Sequence, residues 1–452
     1  MNKYLLSILL TIPFCAAAQD VDESAMFGDP STLVMDSSAF QKKATPATDS
    51  VTGLKASGEV SATLSTSWDR AGLHHPLQDA PSYLAKSVGT IFLDARAANG
   101  TKAFAAIEGD YRADSTITHA YMRELFLDFN LHQQVYVRVG KQVLKWGRCY
   151  FWNPSDLINV EHKSFVARQG ALEGTYGLRV HVPYKTRANF YGFLGSEQAT
   201  TTAEIKGAAK AEILLGGTET ALGIWKRAGL DPVYSWDISS GIHDWNLSGE
   251  AAFLPKGFAN HYQVNHDTLW TLPNKAFTPQ VAASIGRSFD FMQVQDRIMV
   301  QYEMYYNGLG YTKNPLSDSH MYPWKTALTL TDDQVTQLSQ IGYPLPSNRL
   351  GYGPKALWLF ANNEFSSYTL GRYYAAFFTS FSRFLVQDLT LSCNGLMNVT
   401  DGSYVVTGSL SYATLDNLTI QVMGITMGGA YPAEMTYSGN RLTIQGSANY
   451  NF

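Results

Sequence analysis

The sequence predicts an all-β chain closed into a transmembrane antiparallel up-and-down β-barrel of about 18 strands, within a range of roughly 16–20. Three observations predict it. Apolar and polar residues alternate at period two from Lys55 to Phe452, the pattern of strands with one face buried or in lipid. The connections sort by length according to strand parity. Composition is the third: charged residues are 16% and aromatics 13%, with 26 tyrosines, against roughly 25% charge in ordinary soluble domains. No later segment approaches the roughly 18 uninterrupted apolar residues of a membrane helix, whereas a barrel strand crosses with about 9–11 alternating residues.

The chain opens with Met1-Asn2-Lys3, an apolar run from Tyr4 to Phe14 and a small-residue site at Ala16-Ala17-Ala18, which reads as a secretory signal over residues 1–18. Cys15 invites a lipoprotein reading, but bulky Phe14 stands where a small residue should precede a lipidated cysteine. Removing Lys3 takes the formal charge from −4 to −5, so no basic surface for nucleic acid is expected. Residues 19–53 are rich in Asp, Ser, Thr and Ala with little periodicity, and read as a flexible periplasmic segment. The barrel is expected over residues 54–452. Cys149 and Cys393 remain in the mature chain, one in a loop and one on an apolar strand face, and read as two thiols rather than a disulfide.

The first strand sets Val60, Ala62 and Leu64 against Glu59, Ser61, Thr63 and Ser65; the second sets Ile91, Leu93 and Ala95 against Asp94 and Arg96. The third opposes Ile107, Gly109 and Tyr111 to Glu108, Asp110 and Arg112. A hairpin over 121–147 supplies the next two. Leu125, Leu127, Phe129 and Leu131 alternate with Glu124, Phe126, Asp128 and Asn130, and Val135, Val137 and Val139 with Tyr136, Arg138 and Gly140. The sixth sets Leu178, Val180 and Val182 against Arg179 and His181. Six more are placed at 188–197, 203–215, 219–228, 232–242, 245–255 and 278–289, a thirteenth at 297–307 and a ring-dense fourteenth at 364–381. A meander of four ends in Leu442, Ile444, Gly446, Ala448, Tyr450 and Phe452.

Connections after even strands are short, as at 98–101, 132–134, 216–218 and 415–417. After odd strands they are often long, as at 70–86, 147–172, 256–277, 309–363 and 429–439. Short periplasmic turns and long outer loops give that asymmetry, and a soluble sandwich has no reason to produce it. Closure follows because an open edge would leave backbone groups unpaired in hydrocarbon.

Barrels of this size hold an aqueous lumen, so chemistry should lie on the inward face. The pore-lining and solute-binding candidates are Asp94, Arg96, Glu108, Asp110, Arg112, Glu124, Asp128, Arg138, Gln142, Arg179, His181 and Glu303. Interleaved acids and bases read either as ion pairs that stiffen the wall or as an opposed-charge constriction for polar solutes. Two loops could narrow the channel. In the first, Tyr150-Phe151-Trp152 precede the turn former Asn153-Pro154-Ser155-Asp156. In the second, Thr331-Asp332-Asp333-Gln334 resembles a helix start, and Tyr343, Arg349, Lys355 and Trp358 are candidate constriction residues.

Arg123-Glu124-x-x-x-Asp128, then Arg138-x-Gly140-Lys141-Gln142-x-x-x-Trp146-Gly147 and Asn153-Pro154-x-Asp156, resembles porin-like outer-membrane proteins of the alginate-export type and a related, poorly characterised barrel family. The likeness spans Met122 to Asp156 and departs at Lys141, where those families carry Arg. It implies a channel of about 18 strands with Arg123, Glu124, Asp128, Arg138 and Gln142 facing the lumen, and it names no substrate. The terminal Phe452 resembles the signature of bacterial outer-membrane barrels and implies recognition by the outer-membrane assembly machinery.

The expectation is therefore a bacterial outer-membrane channel for passive diffusion or export of small polar or charged solutes. A surface receptor or adhesin is the alternative, and a barrel-borne hydrolase the third class. No spacing joins His74, His75, His181 and His261 into a nucleophile–base set, and no metal spacing exists, so neither catalytic group nor cofactor is expected. The partners implied are outer-membrane lipid, the assembly machinery and a small-molecule solute, with no nucleic acid and a homo-oligomer left open.

Overall fold

In the computed structural model, eighteen strands form one antiparallel sheet that closes on itself. The structure describes residues 53–69, 81–113, 119–159 (save 133 and 145), 165, 172–196 (save 186), 205–312 (save 259, 266, 267, 275 and 276), 314, and 368–452 (save 416, 431, 432 and 437–439). The signal sequence, the 19–52 segment and the 331–334 helix start with its candidate constriction residues lie outside them.

The barrel strands are β1 Gly53–Asp69, β2 Ser82–Arg96, β3 Lys102–Arg112, β4 His119–Leu131, β5 Val135–Gln142, β6 Thr175–Tyr184, β7 Ala188–Ser196, β8 Lys206–Leu215 and β9 Thr218–Arg227. They continue as β10 Val233–Ile242 and β11 Trp245–Leu254. The long connection that follows carries a separate hairpin, β12 Asn260–Asn265 and β13 Thr268–Pro273. The wall resumes with β14 Thr278–Phe291, β15 Val294–Asn307, β16 Tyr373–Phe381, β17 Leu389–Asn398, β18 Ser403–Leu415, β19 Leu418–Gly428 and β20 Asn440–Asn451. Each wall strand pairs with the next, and β1 closes on β20.

The seam explains the terminal aromatic. Gly58 and Phe452 exchange both backbone hydrogen bonds at 2.9 Å. A Cβ on Gly58 would stand 2.6 Å from the Phe452 ring and 2.7 Å from the Thr90 carbonyl, so glycine is what lets the last ring lie on the wall. Large apolar side chains stand exposed on the outward face: Leu64 is 70% exposed, Leu222 67% and Val422 55%. Such a girdle costs roughly 25 cal/mol per Å² in water and nothing in hydrocarbon. The short turns are tight; Met292 and Gln293 both take left-handed φ (51° and 61°), the geometry of a two-residue hairpin turn whose twist matches its strands.

Two expectations need correction. The fourteenth strand begins at Tyr373 instead of near 364, because residues 368–372 are irregular. Tyr368 has φ +67°, and the N–H groups of Thr369 and Leu370 donate to Glu434 instead of a neighbouring strand. Strict alternation also fails in β4. A bulge shifts the β3–β4 register between Ala106 and Ile107, and Arg123 and Glu124 are both buried, on the lumen side. The resemblance implied that adjacent pair; periodicity alone put Arg123 in lipid.

Candidate pore and its inward loop

The site begins where β5 leaves the wall. At Gln142 the chain turns into the lumen, and the Val143 N–H donates to Glu124 Oε1 at 2.7 Å. The wall closes behind it through the Gly174 N–H, which donates to the Arg123 carbonyl at 3.0 Å. Leu144 and Asn159 tie the base of the loop reciprocally, the Leu144 N–H to Asn159 Oδ1 at 2.9 Å and Asn159 Nδ2 to the Leu144 carbonyl at 2.6 Å. Asp156 accepts from the Asn159 amide at 2.6 Å, and a Cβ on Gly147 would lie 2.3 Å from the Asn153 side chain. Much of the quoted motif therefore encodes this inward turn.

A loop inside a barrel must satisfy its backbone without a strand partner. Wall carboxylates do it here. Glu303 on β15 accepts the N–H groups of three successive residues, Tyr150 at 2.8 Å, Phe151 at 3.0 Å and Trp152 at 2.6 Å. Glu250 on β11 accepts the Arg148 and Cys149 N–H groups and the Ser155 hydroxyl at 2.7 Å. The Arg148 guanidinium reaches Asp237 at 2.5 Å, Glu212 at 3.0 Å and Glu219. Lys210 bridges Glu212 at 3.1 Å and Asp237 at 2.9 Å while donating to the Trp146 carbonyl at 2.8 Å. Lys206 donates to the Ile158 carbonyl at 2.7 Å. Burial opposes the Arg148 charge, but the carboxylates of Glu212, Asp237 and Glu219 outweigh it and hold the guanidinium above its usual range.

Rings complete the clamp. Trp152 stacks on Tyr305 with centroids 5.4 Å apart and planes 14° apart, and its indole N–H donates to the Tyr368 carbonyl. Tyr150 packs on Phe378 at 4.7 Å and Phe151 meets Phe165 edge-on at 6.0 Å. Phe151 and Trp152 belong to one buried cluster with wall residues of β14–β19, and Trp146 and Ile158 to a second with wall residues of β7–β11. The described loop thus lies against the β7–β19 side.

The sequence candidates divide accordingly. Asp94, Asp110, Arg112, Asp128, Arg138 and Arg179 are partly exposed and Arg96 is exposed, all on the inward face of β2–β6. Asp94 pairs with Arg96 at 3.1 Å and Lys102 at 3.2 Å, and Asp128 holds Arg138 in a two-pronged pair at 2.6 and 2.7 Å. Arg179 is the register partner of Arg138, and among the described residues its buried Nε has no hydrogen-bond partner. Five candidates are buried instead. Glu108 pairs with Arg123 at 2.6 Å, and Glu124 caps Val143. Gln142 donates to the Gly177 carbonyl at 3.1 Å, and His181 bonds Asn189 and stacks on Tyr191 at 4.5 Å. Glu303 is 0% exposed beneath the loop. These five are built into the wall or the clamp rather than presented to water. Sequence reasoning did not single out Arg148, Glu219, Asp237 or Glu250; the strand parity of the three acids was readable, their convergence on a loop that carries Arg148 was not.

No protein-family model matches the chain, and no curated protein sequence does. Solved structures do match. OpdL of Pseudomonas aeruginosa aligns with a TM-score of 0.51 at 9% identity over 88% of this chain and 98% of its own. OccK3 (OpdO) of the same organism gives 0.51 at 10% over 88% and 95%. OccK2 (OpdF), solved in complex with glucuronate, gives 0.50 at 9% over 88% and 98%. At these identities the likeness is one of fold: the chain is similar to outer-membrane porin barrels.

Proposed function

We propose that this chain is a bacterial outer-membrane channel for passive movement of small polar or charged solutes. The observation that carries the reading is the loop of residues 143–159, clamped across the lumen of a closed 18-strand barrel by wall carboxylates. A loop so held narrows the passage from the β7–β19 side, and among the described residues Asp94, Arg96, Asp110, Arg112, Asp128, Arg138 and Arg179 stay at least partly exposed on β2–β6. Mixed signs there favour solutes with hydrogen-bonding groups over a strongly anion-selective stream. The segment Met122–Asp156, which carries the likeness to alginate-export-type barrels, is the one that turns the loop inward, and it leaves the solute unassigned. Purified protein in a planar bilayer should give discrete conductance steps in KCl, and a silent bilayer at full incorporation would sink the channel reading.

A further inference from the structure

Three phenyl rings stand on the inward face of adjacent strands: Phe92 on β2, Phe104 on β3 and Phe126 on β4. Phe92 and Phe104 stack at 6.3 Å with planes 20° apart, and Phe104 and Phe126 at 5.2 Å and 29°. The Arg138 guanidinium caps the far face of Phe126 at 3.8 Å. Neither Phe92 nor Phe104 belongs to the buried clusters under the loop, and both are partly exposed. The row is therefore finished at one end and open at the other. Among the described residues no ring covers the second face of Phe92, which turns toward β1.

We propose that this open face of Phe92 is a stacking seat for a solute that carries a planar unsaturated ring and an anionic substituent. The register partner of Phe92 on β1 is Ser57, whose short side chain leaves room where a fourth ring of the row would stand. Around that seat lie Lys55, in register with Asp94, and Arg96 and Lys102, both paired to Asp94. Against these three cations stand the Asp94 and Glu59 carboxylates, a cation excess of one among these five groups. A ring that continues an offset stack gains beyond the area it buries, and a saturated ring of equal size does not. The seat belongs to the channel reading, because solute reaches it through the lumen.

The test compares 3-phenylpropionate with 3-cyclohexylpropionate, equal in charge and close in size. Added to single channels in KCl, the aromatic acid should interrupt current about threefold to tenfold more than the saturated one, the span that one stacked aromatic pair supports. Phe92→Leu and Ser57→Leu should bring the ratio to one, and Phe92→Tyr should keep it. Because the readout is a ratio within each variant, changes in conductance do not enter. Equal interruption by the two acids, or a preference that survives Phe92→Leu, would overturn the proposal. Equilibrium dialysis of detergent-solubilised protein gives the same ratio without conduction, so a silent channel would refute the pore and still leave the seat measured.

Discussion

Replacing Glu303 by Gln tests the clamp at its most concentrated point. Glu303 lies on β15 with no exposure and receives the amides of Tyr150, Phe151 and Trp152. Gln keeps the shape but turns one acceptor oxygen into an NH2 group that faces donors. At least one charge-assisted bond is lost, at a cost of about 1.5–3 kcal/mol. The barrel wall keeps its own pairing, so the cost falls on loop docking alone. Converted at 1.4 kcal/mol per decade, the loop's local opening should rise roughly 10- to 150-fold. Hydrogen exchange followed by mass spectrometry on peptides covering 143–159 should lose protection by that factor, while peptides from β17–β20 stay unchanged. Unaltered exchange at Tyr150–Trp152 would refute the assignment of Glu303 as the loop's anchor.

Arg148→Met should leave Glu212, Glu219 and Asp237 facing Lys210 with one cation fewer; at an assumed separation of roughly 8 Å in water the added negative charge favours K+ and disfavours Cl− by roughly 0.5 kcal/mol each, so reversal potentials should show roughly a sixfold rise in K+ over Cl− permeability. Gly58→Val should push a side chain into the Phe452 ring and the Thr90 carbonyl, lowering stability by about 1–3 kcal/mol, read as a fall in the urea midpoint of liposome-folded protein. At the outer rim, burial pushes the Glu434 carboxyl up to about 7, the Tyr374 hydroxyl and Leu370 N–H opposing and Asp401 reinforcing. A raised acid is stabilising while protonated, so its contribution is present below the usual 4.5 and lost as pH rises toward about 7. The full span is about 3 kcal/mol, visible as a fall in the hydrogen-exchange protection factors around residues 368–372, taken relative to intrinsic exchange at each pH, between those limits, and Glu434→Gln should flatten that profile.

What the amino-acid sequence determined by itself is the barrel. Alternation at period two is local, so Leu125 and Val139 could be assigned to lipid and Asp128 and Arg138 to the lumen from their neighbours alone. The sorting of connection lengths by strand parity pointed to the same closed wall, whose seam at Gly58 and Phe452 only the structure located. Only the tertiary structure decided which inward charges meet water. Arg148 finds Glu212, Glu219 and Asp237 across separations of 64, 71 and 89 residues, and Glu303 finds Trp152 across 151. Nothing in a strand's pattern distinguishes a carboxylate that will accept a loop's amides from one that will face the pore, since both require the same inward parity. The bulge at Arg123 and the irregular 368–372 escaped for the same reason: each is held by a partner remote in sequence, Glu108 or Glu434, that overrides the local period. The physical division is between a repeat set by backbone geometry, legible residue by residue, and the desolvation of a folded-in loop, which is satisfied only once the barrel has closed around it.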